Sequence, residues 1–337
     1  MRKRAIARAV GSALAVLMAT VAASCGGDTQ PGTSDDTSQS DSADGRFPVT
    51  VDTKFGEVTV PEEPKRVVAL GWGDAETALA LGVQPVGASD WLEFGGAGVG
   101  PWAKGLYDEK PQIIGTLEPS YEDVLTLEPD LILDVKSSGE QERYDRLSEI
   151  APTIAVPEGG DNYLTSQQQQ VRMIASALGR PEKGKQLLAD VRQQFADARQ
   201  KHPEFDGATV TVAAYSSNGW GAYIEQTQRT EFMRDLGFEP NPEISKLEPE
   251  GFTVRVADEN LELLDADLLV IFPIGKTAAE VTEQPGYDTI PAVRDGRSVI
   301  LDQKTISSAY SLNSVLSIPY ALKHVTPLLA EPLSKGN

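Results

Sequence analysis

A helix-then-strand unit occurs in both halves of the chain. Residues 122–133 and 259–270 align without a gap, and in each a helical pattern runs into a short apolar strand. A repeated unit of this kind predicts two lobes built on one plan. The aligned identities are Glu122/Glu259, Leu127/Leu264, Asp130/Asp267 and Leu131/Leu268, and a Tyr-Asp pair follows each copy at Tyr144-Asp145 and Tyr287-Asp288.

Apolar runs alternate with helical patterns along most of the chain, which is typical of α/β layers with a mainly parallel sheet. Residues 65–70 and 131–135 read as buried strands. A helix is predicted from Asp74 to Leu81, with Gly82 directly after its end. A second helix is predicted to begin at Ser120, with Asp123 at its third position.

Two helical patterns lie between the halves, at residues 164–178 and about 182–202. The second places Leu187, Leu188, Val191, Phe195 and Ala198 at helical spacing, and about 20 residues of helix span ~30 Å. The predicted fold class is therefore α/β: two Rossmann-like lobes joined by a long interdomain helix, with a ligand cleft between the lobes. The expected boundaries are 47–160 for the N-terminal lobe, 161–205 for the connecting helices, and 206–337 for the C-terminal lobe with its closing C-terminal helix.

The N-terminus is expected to be removed on export. Residues 1–24 begin with arginine and lysine and continue as an apolar stretch that is too short to span a bilayer, as in a signal peptide. The segment from Val21 to Gly26 resembles a bacterial lipobox, and this resemblance implies a lipid on Cys25 that anchors the protein outside the cytoplasm. Residues 25–46 are acidic and rich in small polar residues, so they are expected to form a tether.

Charge and composition exclude several classes of function. A formal net charge of −20 argues against nucleic acid as a partner, because phosphate recognition needs a concentrated basic surface. With one cysteine and two histidines, no protein-ligated metal site is expected. No serine-hydrolase elbow or zinc-peptidase pair is present, and the glycine run at residues 95–100 lacks a phosphate-loop ending. A secreted carbohydrate-active enzyme with paired carboxylates remains a remote alternative.

Several segments, in matching order, resemble the iron-siderophore and cobalamin branch of the substrate-binding proteins of ABC importers. The resemblance implies a monomer without a cofactor, which captures a ferric siderophore between its lobes and delivers it to a permease dimer. It also implies that a glutamate on each lobe, here Glu122 and Glu259, docks into arginine-lined sites on the permease. Cobalamin and haem remain alternatives, with Tyr215, Tyr223 or Tyr310 available as an axial haem ligand. The segments are residues 64–70, 80–87, 114–122, 127–133, 150–153, 261–270 and 317–322.

Aromatic residues are expected to line the cleft, because they cluster in segments that follow predicted strands and all four tryptophans are assigned to loops. Cations beside them would match the anionic oxygens of a ferric chelate. The resemblance implies that the regions of Lys136 and Tyr310 face the ligand, whereas Arg229 is inferred from its position in a loop before a predicted helix. The predicted ligand-binding residues are Trp72, Trp91, Trp102, Lys136, Trp220, Tyr223, Arg229 and Tyr310.

Overall fold

A computed structural model describes residues 45–115 and 117–334 of the chain. The predicted signal peptide, Cys25 and nearly all of the predicted tether lie outside these residues. Within the described part, no helix has both the length and the apolar character needed to cross a membrane.

The first lobe is built on a five-stranded sheet in which every neighbouring pair is parallel, in the order β5-β4-β3-β6-β7. A β-hairpin, β1 and β2, precedes it. The bounds are β1 (Val49–Thr53), β2 (Gly56–Val60), β3 (Val67–Ala69), β4 (Gly87–Ser89), β5 (Gln112–Ile114), β6 (Leu131–Leu133) and β7 (Thr153–Ile154), with helices α1 (Asp74–Leu81), α2 (Tyr121–Thr126) and α3 (Gln141–Ser148).

Local sequence signals set the ends of two of these helices, as predicted. Helix α1 ends at Gly82, whose φ of 88° lies in the left-handed region that glycine adopts readily. Helix α2 begins after Ser120, whose hydroxyl accepts a hydrogen bond from the backbone N–H of Asp123 at 3.2 Å.

Helices α4 (Gln167–Ala177) and α5 (Pro181–Lys201) connect the two sheets. The 21 residues of α5 confirm the predicted long helix. Its Leu188, Val191 and Phe195 are buried in the core of the second lobe, while Leu187 packs against the cores of both lobes. Helix α5 therefore braces the two lobes against each other.

The second lobe has a six-stranded sheet along the path β11-β9-β8-β12-β13, with β10 paired to the start of β8. Strands β8, β12 and β13 are parallel, as predicted, but β9 and β11 run antiparallel to their neighbours. The bounds are β8 (Thr209–Ser216), β9 (Gly219–Tyr223), β10 (Glu239–Pro240), β11 (Thr253–Val256), β12 (Leu268–Pro273) and β13 (Ser298–Ile300), with helices α6 (Gln228–Asp235), α7 (Ala278–Thr282), α8 (Pro291–Arg294), α9 (Lys304–Leu312) and α10 (Ile318–Ser334).

The two copies of the sequence repeat occupy equivalent places. Asp130, just before β6, accepts hydrogen bonds from the backbone N–H groups of Lys65 and Arg66, which lead into the neighbouring strand β3. Asp267, just before β12, accepts from the N–H and the hydroxyl of Thr209 at the start of the neighbouring strand β8. Each aspartate thus ties together the starts of two central parallel strands, which explains why it recurs in the repeat.

Candidate ligand-binding site

A cavity of about 750 Å³ lies between the two lobes. Its walls come from segments that follow the carboxyl ends of β3, β4 and β7 in the first lobe, and from β8, β9, β11 and the start of α6 in the second. This is the edge at which open α/β sheets place their ligands. Six aromatic residues line it: Trp72, Trp91, Tyr163, Trp220, Tyr223 and Phe252.

Three stacked aromatic rings form the first-lobe wall. The ring of Trp72 lies between those of Trp91 and Tyr163, with centroid distances of 4.1 and 4.0 Å and interplanar angles of 7° and 19°. A stack of this kind gives a broad apolar surface with little rotational freedom, which suits contact with a bulky ligand. The structure therefore brings the predicted residues Trp72 and Trp91 together in the cavity.

Buried polar groups fix the backbone of the Trp72 segment. The N–H of Trp72 donates to the carbonyl of Lys136 at 2.8 Å, and the side chain of Gln170 donates to the carbonyl of Trp72 at 2.8 Å. Asp74 accepts from the N–H of Val135 and from Gln170 at 2.8 and 2.6 Å. Gly71 is required here, because a Cβ would lie 2.3 Å from the Asp74 carboxylate and 2.7 Å from the backbone nitrogen of Lys136.

Asp74 has no exposed surface, and this burial raises the pKa of its carboxyl group to about 6, although the hydrogen bonds from Gln170 and Val135 oppose the shift. Its role is to position the loop that carries Trp72, since it does not line the cavity.

Tyr163 was not among the predicted site residues. Tyr163 and Asn162 have φ angles of 63° and 54°. Positive φ angles are uncommon for residues other than glycine, and they tend to occur in loops that present a side chain to a functional site. Their N–H groups donate to the carbonyls of Ser137 and Ser138, at 2.8 and 2.9 Å, and so hold the strained loop in place. The sequence signal for a loop at Tyr163 is the run of glycine and polar residues around it, but no local feature of the sequence indicates that Tyr163 contacts Trp72.

The second-lobe wall contains the predicted residues Tyr223 and Arg229, whereas the side chain of Trp220, which also borders the cavity, is 2% exposed and packs in the core behind the strand. Trp220 and Tyr223 lie in β9, and Arg229 is the second residue of α6, so none of the three is in the loop predicted for it. The guanidinium of Arg229 lies 4.6 Å from the ring centre of Tyr223 and 5.3 Å from that of Phe272. These rings hold the cation in place at the edge of the cavity.

Tyr310 is a correction to the predicted site. It has no exposed surface, stacks on Phe272 in the core of the second lobe, and does not line the cavity. Its hydroxyl donates to the backbone carbonyl of Arg229 at 2.5 Å, and burial raises its pKa. Tyr310 therefore fixes the backbone of Arg229 from the core side of the cavity wall. The sequence does not indicate that its helix, α9, is buried at this position.

The prediction that Lys136 faces the ligand is also corrected by the structure. It is only 1% exposed, lies behind the cavity lining, and its ammonium nitrogen has no hydrogen-bond partner among the described residues. Burial lowers the pKa of this amine, while the charges of Glu231 and Asp74 oppose that shift. Its contribution to the cavity is the backbone carbonyl that fixes Trp72.

Trp102 is the third correction. It lies in a short 3₁₀ helix outside the cavity, and its indole N–H donates to both carboxylate oxygens of Glu76 at 2.9 Å. Buried Glu76 also accepts from Ser314 of the second lobe, and desolvation raises its pKa. Trp102 further contacts Tyr320 in α10. It therefore joins the lobes instead of facing the ligand.

Glu122 and Glu259 are both exposed, and neither lines the cavity. Glu122 lies in the first turn of α2, as predicted. Glu259 lies in a 3₁₀ helix at Asp258–Leu264, in which Asn260 departs from helical geometry, so the second copy of the repeat is less regular than the first. Neither carboxylate forms an ion pair or side-chain hydrogen bond with the described residues.

Within the described ranges, no three His, Cys, Asp or Glu side chains converge as a metal site would require. The cavity-lining residues are instead aromatic, aliphatic, small or amide-bearing, with the charged side chains Arg229, Arg255 and Glu250. Such a lining can bind a large organic ligand or a metal that arrives already chelated.

Known proteins match the chain in both sequence and structure. It is 28% identical over 266 residues to the "Probable siderophore-binding lipoprotein YfiY" of Bacillus subtilis (strain 168), covering 74% of this chain and 78% of that one. It is 25% identical over 283 residues to the Fe(3+)-citrate-binding protein YfmC of the same organism, covering 79% and 81%.

Among solved structures, PiaA of Streptococcus pneumoniae TIGR4 in complex with ferrichrome superposes with a TM-score of 0.74 at 25% identity, covering 85% of this chain and 99% of that one. The family model described as periplasmic binding protein matches residues 67–305, which include both sheets and the helix between them. The chain therefore belongs to the periplasmic binding protein family.

Proposed function

We propose that this protein captures a ferric siderophore-type chelate in the cavity between its lobes and delivers it to the permease of an ABC importer. The observation that carries the proposal is the cavity of about 750 Å³, with aromatic walls from both lobes and no converging protein ligands for a bare metal among the described residues. The names of the similar proteins support the iron chelate, since they include siderophore, ferric citrate and ferrichrome binding.

Membership of a family of binding proteins means that the chain is not an enzyme, so the carbohydrate-active alternative is set aside. Haem is less well supported than a ferric chelate. Of the three tyrosines suggested as axial ligands, only Tyr223 lines the cavity, and the guanidinium of Arg229 lies over its ring. Tyr310 is enclosed in the core.

A binding titration tests the proposal directly. Isothermal calorimetry of the full-length protein in detergent should show a ferric siderophore binding at one site, with a dissociation constant of about 1 μM or lower. The same siderophores without iron, together with haem and cobalamin, are the comparison ligands. Binding of haem or cobalamin in the absence of any ferric-chelate binding would replace the proposed ligand, because all of them would be offered at equal concentration.

The protein is further proposed to act outside the cytoplasm, anchored by a lipid on Cys25. Because Cys25 is the only cysteine, Cys25→Ala removes the only thiol that could be acylated. The expected result is loss of most of the protein from the membrane fraction, with ligand affinity unchanged. The neighbouring variant Ser24→Ala keeps the thiol and should remain in the membrane fraction. Retention of Cys25→Ala in that fraction after high-salt washing would contradict the lipid anchor.

A further inference from the structure

Three buried nitrogen atoms on cavity-lining residues have no hydrogen-bond partner in the described part of the chain. They are Nε1 of Trp72 and Trp91 and Nε of Arg229, whereas Trp220, whose Nε1 also lacks a partner, points into the core behind β9. Each is a hydrogen-bond donor, and no unpaired buried acceptor accompanies them on the lining residues. Buried donors normally find partners, and a ligand rich in oxygen acceptors would supply them when these side chains turn toward the cavity.

The charge of the lining points the same way. Arg229 and Arg255 line the cavity, and neither forms an ion pair with another described residue, whereas Glu250 is the lone carboxylate among the lining side chains. The whole chain carries a formal net charge of −20, so a net positive lining departs from the general character of the molecule. A local excess of guanidinium groups favours an anionic ligand, because arginine pairs with oxyanions through charge-assisted hydrogen bonds.

The two arginines differ in freedom. Arg229 is fixed by the rings of Tyr223 and Phe272 and by the Tyr310 hydrogen bond to its carbonyl. Arg255 is exposed on β11, paired with Gly221 of β9, which has no side chain to cover it. Arg255 can therefore turn toward ligands of different shape, and its replacement should leave the core of the lobe intact.

We infer that the ligand is an anionic ferric chelate that displays carboxylate or catecholate oxygens at its surface, and that Arg255 and Arg229 select it by charge. The inference rests on the proposed function and narrows its substrate class. A neutral ferric tris-hydroxamate also offers oxygen acceptors, but it would leave both guanidinium groups without a counter-charge in a cavity from which it had displaced water.

Calorimetric titration of the full-length protein with three ferric chelates tests the inference: a neutral tris-hydroxamate, an anionic hydroxycarboxylate and an anionic tris-catecholate. At least one anionic chelate should bind about tenfold or more tightly than the neutral one. Arg255→Gln should weaken anionic binding by about tenfold and change neutral binding by less than about threefold. Arg172→Gln, an exposed arginine of α4 outside the cavity, is the charge-matched control and should change neither.

The outcomes separate this inference from the proposed function. Stronger binding of the neutral chelate, or unchanged anionic binding by Arg255→Gln, would overturn the inference while ferric-chelate binding stood. Failure of all three chelates to bind would overturn the proposed function and the inference together. The preferred anionic chelate also distinguishes carboxylate from catecholate oxygens as the recognised groups.

Discussion

Gly221→Leu is expected to weaken ligand binding by about ten- to hundredfold without unfolding the protein. Trp220 and Ala222 point into the core behind β9, so a side chain at position 221 would project from the opposite face, which lines the cavity. A Cβ at Gly221 would meet its nearest neighbour, the Val254 carbonyl oxygen, at 3.5 Å, which is an ordinary contact. The branched end of leucine would therefore extend into the ligand's space beside Arg255.

Gly221→Ala is the matched control, because its single methyl group occupies the tolerated Cβ position alone. It should bind within about threefold of the wild type, and both variants should unfold near the wild-type temperature. The measurement is calorimetric affinity for the ferric chelate that the wild type binds, together with a thermal unfolding scan. Full affinity in a folded Gly221→Leu protein would show that the ligand does not occupy the cavity between the lobes.

Much of the framework could be predicted from the sequence because it depends on local or periodic signals. The left-handed Gly82, the Ser120 cap and the apolar spacing of the long helix each act through nearby residues. The recurrent Asp130 and Asp267 were detectable as a pattern, although their shared role, hydrogen bonding to the start of the neighbouring strand, emerged only from the fold. The spacing of apolar residues thus identifies helices and strands well, and matching elements in the two halves of the sequence reveal that the lobe is repeated.

The ligand-binding site was harder to predict, because it depends on how deeply each side chain is buried and on contacts between residues far apart in the sequence. Trp72 and Trp102 both lie near glycines in the sequence, yet one faces the cavity and the other bonds to buried Glu76. Tyr310 reads as an aromatic near the cavity, but α9 places it in the core. The antiparallel hairpin of β8 and β9 did have a local signal, Asn218-Gly219, which is typical of such turns.

The double variant Glu122→Ala/Glu259→Ala is expected to bind ligand with wild-type affinity but to lose most uptake in cells or membrane vesicles. Both glutamates are exposed, lie outside the cavity lining and occupy equivalent positions before β6 and β12. Docking into arginine-lined sites of the permease would give each carboxylate a charge-assisted contact worth roughly 1.5–3 kcal/mol. Leu125, on the same helix as Glu122, is 60% exposed and could be covered in the same interface.

Two comparisons separate a docking role from a general loss of surface charge. Glu142→Ala/Glu283→Ala removes the same charge from exposed positions in the two lobes and should leave both binding and uptake unchanged. Glu122→Arg/Glu259→Arg should transport less than the alanine pair, because like charges would then oppose each other across the interface. Transport assays with purified permease, at protein concentrations that saturate the wild type, would measure these differences. If the alanine pair lost ligand affinity while transporting normally whatever it still bound, the two glutamates would be assigned to ligand capture instead of docking.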